Sequence, residues 1–163
     1  MRFELTQHFD APADEVFAAY TSTELYPTLV GLPKLGGIEV LGREEAGDTV
    51  RLRVHFRFTG HLPAAVTAVV HPDRLTWVQE SEHDPATSSA RFRLVPDHYP
   101  DRLAARGSFT VRAHDGGSRR VLTGELKVKA LLVAGQVERA IVSGLDEYLQ
   151  AEAPAVDRWL AGR

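Results

Sequence analysis

An α+β domain, with a curved antiparallel sheet wrapped around a long C-terminal helix, is what this sequence predicts. Three observations carry the prediction. From residue 38 to about residue 128 the hydrophobic period is two, the signature of strands with one dry and one wet face. From about 132 to 160 it becomes helical, with Val133, Val137, Ile141, Leu145 and Tyr148 in one stripe. A sheet with one apolar face must cover that face, and this helix is the one element long enough to do so.

The bulk composition bounds the function. The 163 residues make one ordinary domain, 1–163, able to bury about 70% of its unfolded surface. Cysteine is absent, which removes disulfides, thiolate metal sites and Cys nucleophiles. A formal net charge of −3 argues against a general binder of nucleic acid or anionic membrane. The start, Met1-Arg2-Phe3-Glu4-Leu5-Thr6, alternates and lacks an apolar leader core, and no apolar run is long enough to span a bilayer. A cytoplasmic location and no stable membrane insertion are therefore expected.

Taken in order, Phe3, Leu5, Gln7 and Phe9 alternate with Glu4, Thr6 and His8 and predict the first strand. Pro12, Asp14 and Glu15 suit the opening of a short helix over 12–20. A second short helix is predicted near 22–30, although Pro27 disfavours it. Strands follow at 38–45, at 50–58 and at 64–71. In the second of these, Val50, Leu52, Val54, Phe56 and Phe58 alternate with Arg51, Arg53, His55 and Arg57.

Two hairpins can be given a register. Folding about Asp84-Pro85-Ala86-Thr87 predicts Glu80 opposite Arg91, Gln79 opposite Phe92 and Trp77 opposite Leu94. Folding about Gly116-Gly117 predicts Val111 opposite Leu122, Thr110 opposite Thr123, Phe109 opposite Gly124 and Gly107 opposite Leu126. A large side chain would then face a missing one twice, which relieves crowding on a concave face. Six or seven strands result. Pro154 is expected to kink or restart the terminal helix.

Reactive chemistry finds little support. The seven histidines lie on different strands or turns, so no metal site or other cofactor is predicted. No Ser lies in a nucleophile elbow. Glu80 and Glu82 share a face with Arg91 and Arg93, which explains them as ion-pair partners. Arg51, Arg53, Arg57, Arg91, Arg93, Arg106 and Arg112 project from one side of the sheet, but its aromatics are on the other. That separation disfavours a nucleic-acid platform, where bases stack among the cations. No catalytic residue is assigned.

A strongly curved sheet gripping one helix leaves a cavity that its side chains do not fill. The predicted lining is Phe56, Phe58, Trp77, Gln79, Phe92 and Phe109 from the sheet, and Val137, Ile141 and Tyr148 from the helix, with Tyr20 and Leu25 as a lid over one end. Gln7, Gln79, Tyr20, Tyr26 and Tyr148 are the polar groups expected to point inward, where they would hold the polar head of an apolar ligand or bond to backbone.

Three stretches carry a resemblance. They are Phe9-Asp10-Ala11-Pro12-Ala13-Asp14-Glu15-Val16-Phe17, Arg74-Leu75-Thr76-Trp77-Val78-Gln79-Glu80, and the run from Leu126-Lys127-Val128-Lys129 through Gly135-Gln136-Val137-Glu138. Over its whole length the chain resembles the START-like, helix-grip superfamily of polyketide cyclases and lipid-transport proteins (SRPBCC), and its third stretch resembles an uncharacterised bacterial branch. The glycine-rich loop of the plant allergen and hormone-receptor branch is missing between the second and third strands. The resemblance implies binding or transport of a small hydrophobic molecule, lipid-like or polyketide-like. Two alternatives stay open: a cyclase/aromatase-type enzyme using the same pocket, and a co-chaperone-like protein-interaction module using the outer face.

Overall fold

The structure, a computed structural model, describes residues 1–163. Seven strands form one antiparallel sheet: β1 (Arg2–Phe9), β2 (Leu35–Ala46), β3 (Thr49–Phe58), β4 (Thr76–Asp84), β5 (Ser89–Pro96), β6 (Leu103–His114) and β7 (Gly117–Val128). Their order across the sheet is β1-β7-β6-β5-β4-β3-β2, so the first strand returns to pair with the last. Helix α1 (Ala13–Thr21) follows β1, helix α2 (Ala64–Thr67) lies between β3 and β4, and helix α3 (Ala134–Ala161) ends the chain. Helix α3 packs mainly on β1 and β7, and α1 packs on β6, β7 and α3. This is the expected α+β helix-grip architecture.

Local chemistry accounts for the joints. Pro12 ends β1 and stands at the N-cap of α1, with Asp14 and Glu15 in its first turn. The Asp157 carboxylate of α3 accepts the backbone N–H groups of Asp10 and Ala11 at 3.0 and 3.1 Å, pinning the β1 exit to the terminal helix. Helix α3 runs unbroken past Pro154, which is exposed; a break does not occur there. Alternation is strict in β3, where Val50, Leu52, Val54 and Phe56 are buried.

Two predicted elements take another form. Residues 22–30 make only a 3-10 turn at Tyr26–Thr28, because Pro27 removes a donor, but Leu25, Tyr26 and Leu29 are all buried. The predicted strand 64–71 is α2 followed by a second 3-10 turn, Pro72–Arg74. Pro63 and Pro72 start those turns, and neither can donate to a ladder.

Both predicted registers are shifted by two residues. In the β4–β5 hairpin Glu80 pairs with Arg93, Ser81 with Phe92, Gln79 with Leu94 and Trp77 with Pro96. The loop is Pro85–Ser88, with Ser88 at φ +48° and the Asp84 carboxylate accepting from Ala86 N–H and Thr87 Oγ1. In the β6–β7 hairpin Phe109 pairs with Leu122, Thr110 with Val121, Val111 with Arg120 and Gly107 with Gly124. The turn residues are Asp115 (φ +48°) and Gly116 (φ +81°) rather than two glycines, since Asp tolerates the left-handed conformation. A slip of two keeps every side chain on its predicted face, where a slip of one would not.

The large-against-missing relationship survives with other partners. A Cβ on Gly107 would meet the Phe92 ring and the Thr123 carbonyl, and one on Gly124 would meet the Phe3 ring. Phe3 and Gly124 are cross-strand partners.

Candidate functional site

The inner face of the sheet changes character from one end to the other. At the end covered by α1, Gln7 (β1), Arg120 (β7), Phe109 (β6) and His83 (β4) are buried together with Tyr20, Tyr148 and Glu152. Gln7 and Arg120 are cross-strand partners, and so are Ala90 and His83. Tyr148 and Glu152 are one turn apart on α3 and present the same face.

Glu152 is the hub. Its carboxylate accepts from Tyr20 Oη at 2.7 Å, Tyr148 Oη at 3.0 Å, Gln7 Nε2 at 3.1 Å and Arg120 Nη1 at 3.4 Å. Gln7 Nε2 also donates to the Leu149 carbonyl, and Tyr26 Oη donates to that of Tyr20. The Arg120 guanidinium lies 3.9 Å from the Tyr20 ring centroid and 4.4 Å from that of Phe109. Burial works against a charge on Arg120, but Tyr20 and Glu152 outweigh it and raise its pKa. Burial also raises the phenol pKa of Tyr20, Tyr26 and Tyr148, with Glu152 adding to it, so all three stay protonated donors.

His83 stands beside this cluster. Its ring is 5.7 Å from Phe109 and 6.0 Å from Phe17, and Nε2 is 2.9 Å from Ser81 Oγ. Burial, with Arg120 and Arg43 adding to it, pushes its pKa down to about 4, so the ring is neutral at ordinary pH. Three buried polar atoms, Gln7 Oε1, His83 Nδ1 and Arg120 Nε, have no hydrogen-bond partner within the protein. Each can serve a polar group of a bound molecule or a water.

At the opposite end the inner face is only half covered. Phe58, Trp77, Gln79 and Phe92 are partly exposed, as is Ile141 on the facing helix, whereas Val137 is buried. Trp77 stacks on Phe56, with centroids 6.0 Å apart and an interplanar angle of 15°. Because α3 packs mainly on β1 and β7, the aromatics on the β3–β5 part of the concave face are left only partly covered, forming an open-edged patch, the mouth.

The predicted lining therefore divides. Phe58, Trp77, Gln79, Phe92 and Ile141 gather at the mouth. Tyr20, Phe109 and Tyr148 lie in the polar cluster, and Phe56 and Val137 are buried between. Leu25 is fully buried in the same core cluster as Tyr20. Arg120, Glu152 and His83 were not among the residues singled out from the sequence. The sequence carries the signal for two of them: Arg120 and His83 fall on the inward parity of their strands in the predicted register as in the observed one. Glu152 lies one turn beyond Tyr148 on the apolar stripe.

A separate concavity lies on the opposite side of the sheet. It is an open groove of about 1070 Å³ on the outer face, floored by backbone at Gly107 and Gly124. Its walls are an ion-pair ladder in which Arg53 and Arg93 share Glu80, and Arg51 and Arg91 share Glu82. These exposed pairs contribute little to stability individually.

Comparison with known proteins places this geometry. A family described as "Protein of unknown function (DUF2505)" matches residues 4–160. No curated protein matches the sequence. Among solved structures, TTHA0849 from Thermus thermophilus superposes with a TM-score of 0.69 at 18% identity, covering 99% of this chain and 98% of that one. The Zhui aromatase/cyclase from Streptomyces sp. R1128 gives 0.67 at 21%, with 100% and 94% covered. Norcoclaurine synthase from Thalictrum flavum gives 0.66 at 18%, with 100% and 87% covered. At these identities the likeness is one of fold: a curved antiparallel sheet around a long C-terminal helix, the helix-grip arrangement.

Proposed function

The chain belongs to the DUF2505 family, and on that footing we propose that it binds or carries a small hydrophobic molecule between the sheet and α3. The observation that carries the reading is the aromatic mouth. Phe58, Trp77 and Phe92 are apolar, face the concave side and are only partly covered by the protein itself. A carrier needs such surface, since transfer of apolar area from water supplies affinity at about 25 cal/mol per Å². Gln79 at the mouth and the spare polar atoms of Gln7, Arg120 and His83 at the inner end offer a few fixed polar contacts in an otherwise apolar interior. The fold supports the reading, because solved neighbours with this architecture are named as cyclases and as norcoclaurine synthase, proteins that accept small organic substrates.

Carriage is favoured over catalysis by the state of Glu152. It is the one buried carboxylate, and four donors already occupy it. A general acid or base must exchange a proton with substrate, and this group is committed to holding Arg120.

The experiment is native mass spectrometry of the intact chain after gentle purification. The expected result is a bound adduct of lipid-like or polyketide-like mass that is lost on organic extraction. Bare protein from several expression hosts, together with no uptake of added fatty acids, sterols or aromatic polyketides, would reject the proposal.

A further inference from the structure

We infer that the end of the fold bearing the mouth docks on the surface of an anionic lipid bilayer. Such docking is separate from ligand binding and does not need it. Three connections meet at that end: 59–75, 97–102 and 129–133. They are tied together by Lys129 N–H to the Arg102 carbonyl at 2.8 Å, and by Arg102 Nη1 to the Val69 carbonyl at 3.3 Å.

On this edge stand the most exposed large apolar side chains of the protein. Leu131 is 95% exposed and Leu132 104%, and Val69, on the connection tied to theirs through Arg102, is 40% exposed. Scattered single leucines on a surface need no explanation, but two adjacent ones with their whole side chains in water do. Leu132 also sits at φ +68°, a conformation that a leucine rarely adopts, so the connection is held in a costly turn rather than relaxed against the protein.

The charge of this edge, rather than the chain's net −3, selects the partner. The exposed cations Lys127 and Lys129 precede the leucines, Arg139 follows on the first turns of α3, and Arg102 lies across the tie. The first turn of α3 carries no acid; of the flanking acids, Glu138 is taken by the Met1 amine and the Val128 N–H, and Glu125 by Arg106 and Lys127. The acids on these connections are Asp73, Asp97 and Asp101, and Asp97 is already engaged by His55 and Thr76. Apolar tips bracketed by Lys and Arg fit the boundary between head groups and acyl chains of an anionic leaflet. A second copy of the chain fits less well, because a stable dimer buries about 800 Å² per partner, and two leucines with half a valine fall short of that. No helix is long and apolar enough to cross a membrane, so the contact is one of surface docking.

The test is co-sedimentation of the full chain with vesicles of phosphatidylcholine alone and of phosphatidylcholine with phosphatidylglycerol in equal amounts. Binding is expected to the second and to weaken as salt is raised. The variant Leu131→Glu/Leu132→Glu should keep the wild-type melting temperature and lose more than about tenfold in vesicle affinity. Lys127→Gln/Lys129→Gln should reduce the preference for the anionic vesicles. Absence of binding to either vesicle, or equal binding by the leucine variant, would overturn the inference. So would a concentration-dependent dimer abolished by the same variant, which would assign the patch to a second copy.

Discussion

Arg120 of β7 and Glu152 of α3 meet at 3.4 Å inside the core, with side chains only 8% and 6% exposed. A buried pair is weak evidence for stability as such, because desolvation offsets the attraction. Its consequence is asymmetric. Removing one partner strands the other charge, whereas removing both need not. Glu152→Ala is therefore expected to cost about 3–5 kcal/mol, and Arg120→Met/Glu152→Leu markedly less than the sum of the two single changes. Urea unfolding of all four proteins checks this. Additive losses would show that the two groups do not work as a pair.

His83 gives the fold a defined acid sensitivity. Its pKa is lowered in the folded state, so between pH 6.5 and about 4 the unfolded chain binds the extra proton and the folded one does not. The stability contributed by neutral His83 is thus present above pH 6.5 and lost on acidification through that window, by up to about 3 kcal/mol. The difference in urea midpoint between wild type and His83→Gln, followed from pH 7.5 down to about 4, should shrink as the wild type weakens. A parallel fall in both proteins would assign the sensitivity to other groups.

Gly124 is constrained by Phe3. Its backbone lies under the Phe3 ring, so Gly124→Val is expected to cost about 1–3 kcal/mol by overpacking. Phe3→Ala in the same chain should recover part of that loss, which Phe109→Ala should not. Thermal melts of the three variants distinguish these outcomes. Recovery with Phe109→Ala instead would contradict the observed register.

The long-range order of the chain was legible because periodicity reports it: the alternation of β3 and the stripe Val137–Ile141–Tyr148 are tertiary facts written locally. Turn centres were harder. Asp115-Gly116 and Gly116-Gly117 are both acceptable primed turns, and nothing local decides between them. What survived was parity, so the inward aromatics were identified although their partners were not. Residues 64–71 differ from expectation because alternating small and branched residues look like a strand until the flanking Pro63 and Pro72 are given their weight. The polar cluster was hidden for a different reason. Arg120 and Glu152 are charged, and charge ordinarily marks the wet face; only the three-dimensional approach of α3 to β7 makes their burial tolerable. Leu132 and Val133 read as the start of the terminal helix, which in fact begins at Ala134.

Trp77 stands at the mouth and reports directly on whether a ligand enters there. With Trp159→Phe removing the second emitter, Trp77 emission is followed while fatty acids, sterols or aromatic polyketides are added. A saturable change is expected with at least one class. Trp77→Ala should weaken that binding while costing less than the roughly 3–5 kcal/mol of a closed core position, since the side chain is only partly buried. An emission that no class of ligand alters, in a chain that remains folded, would contradict the carrier function.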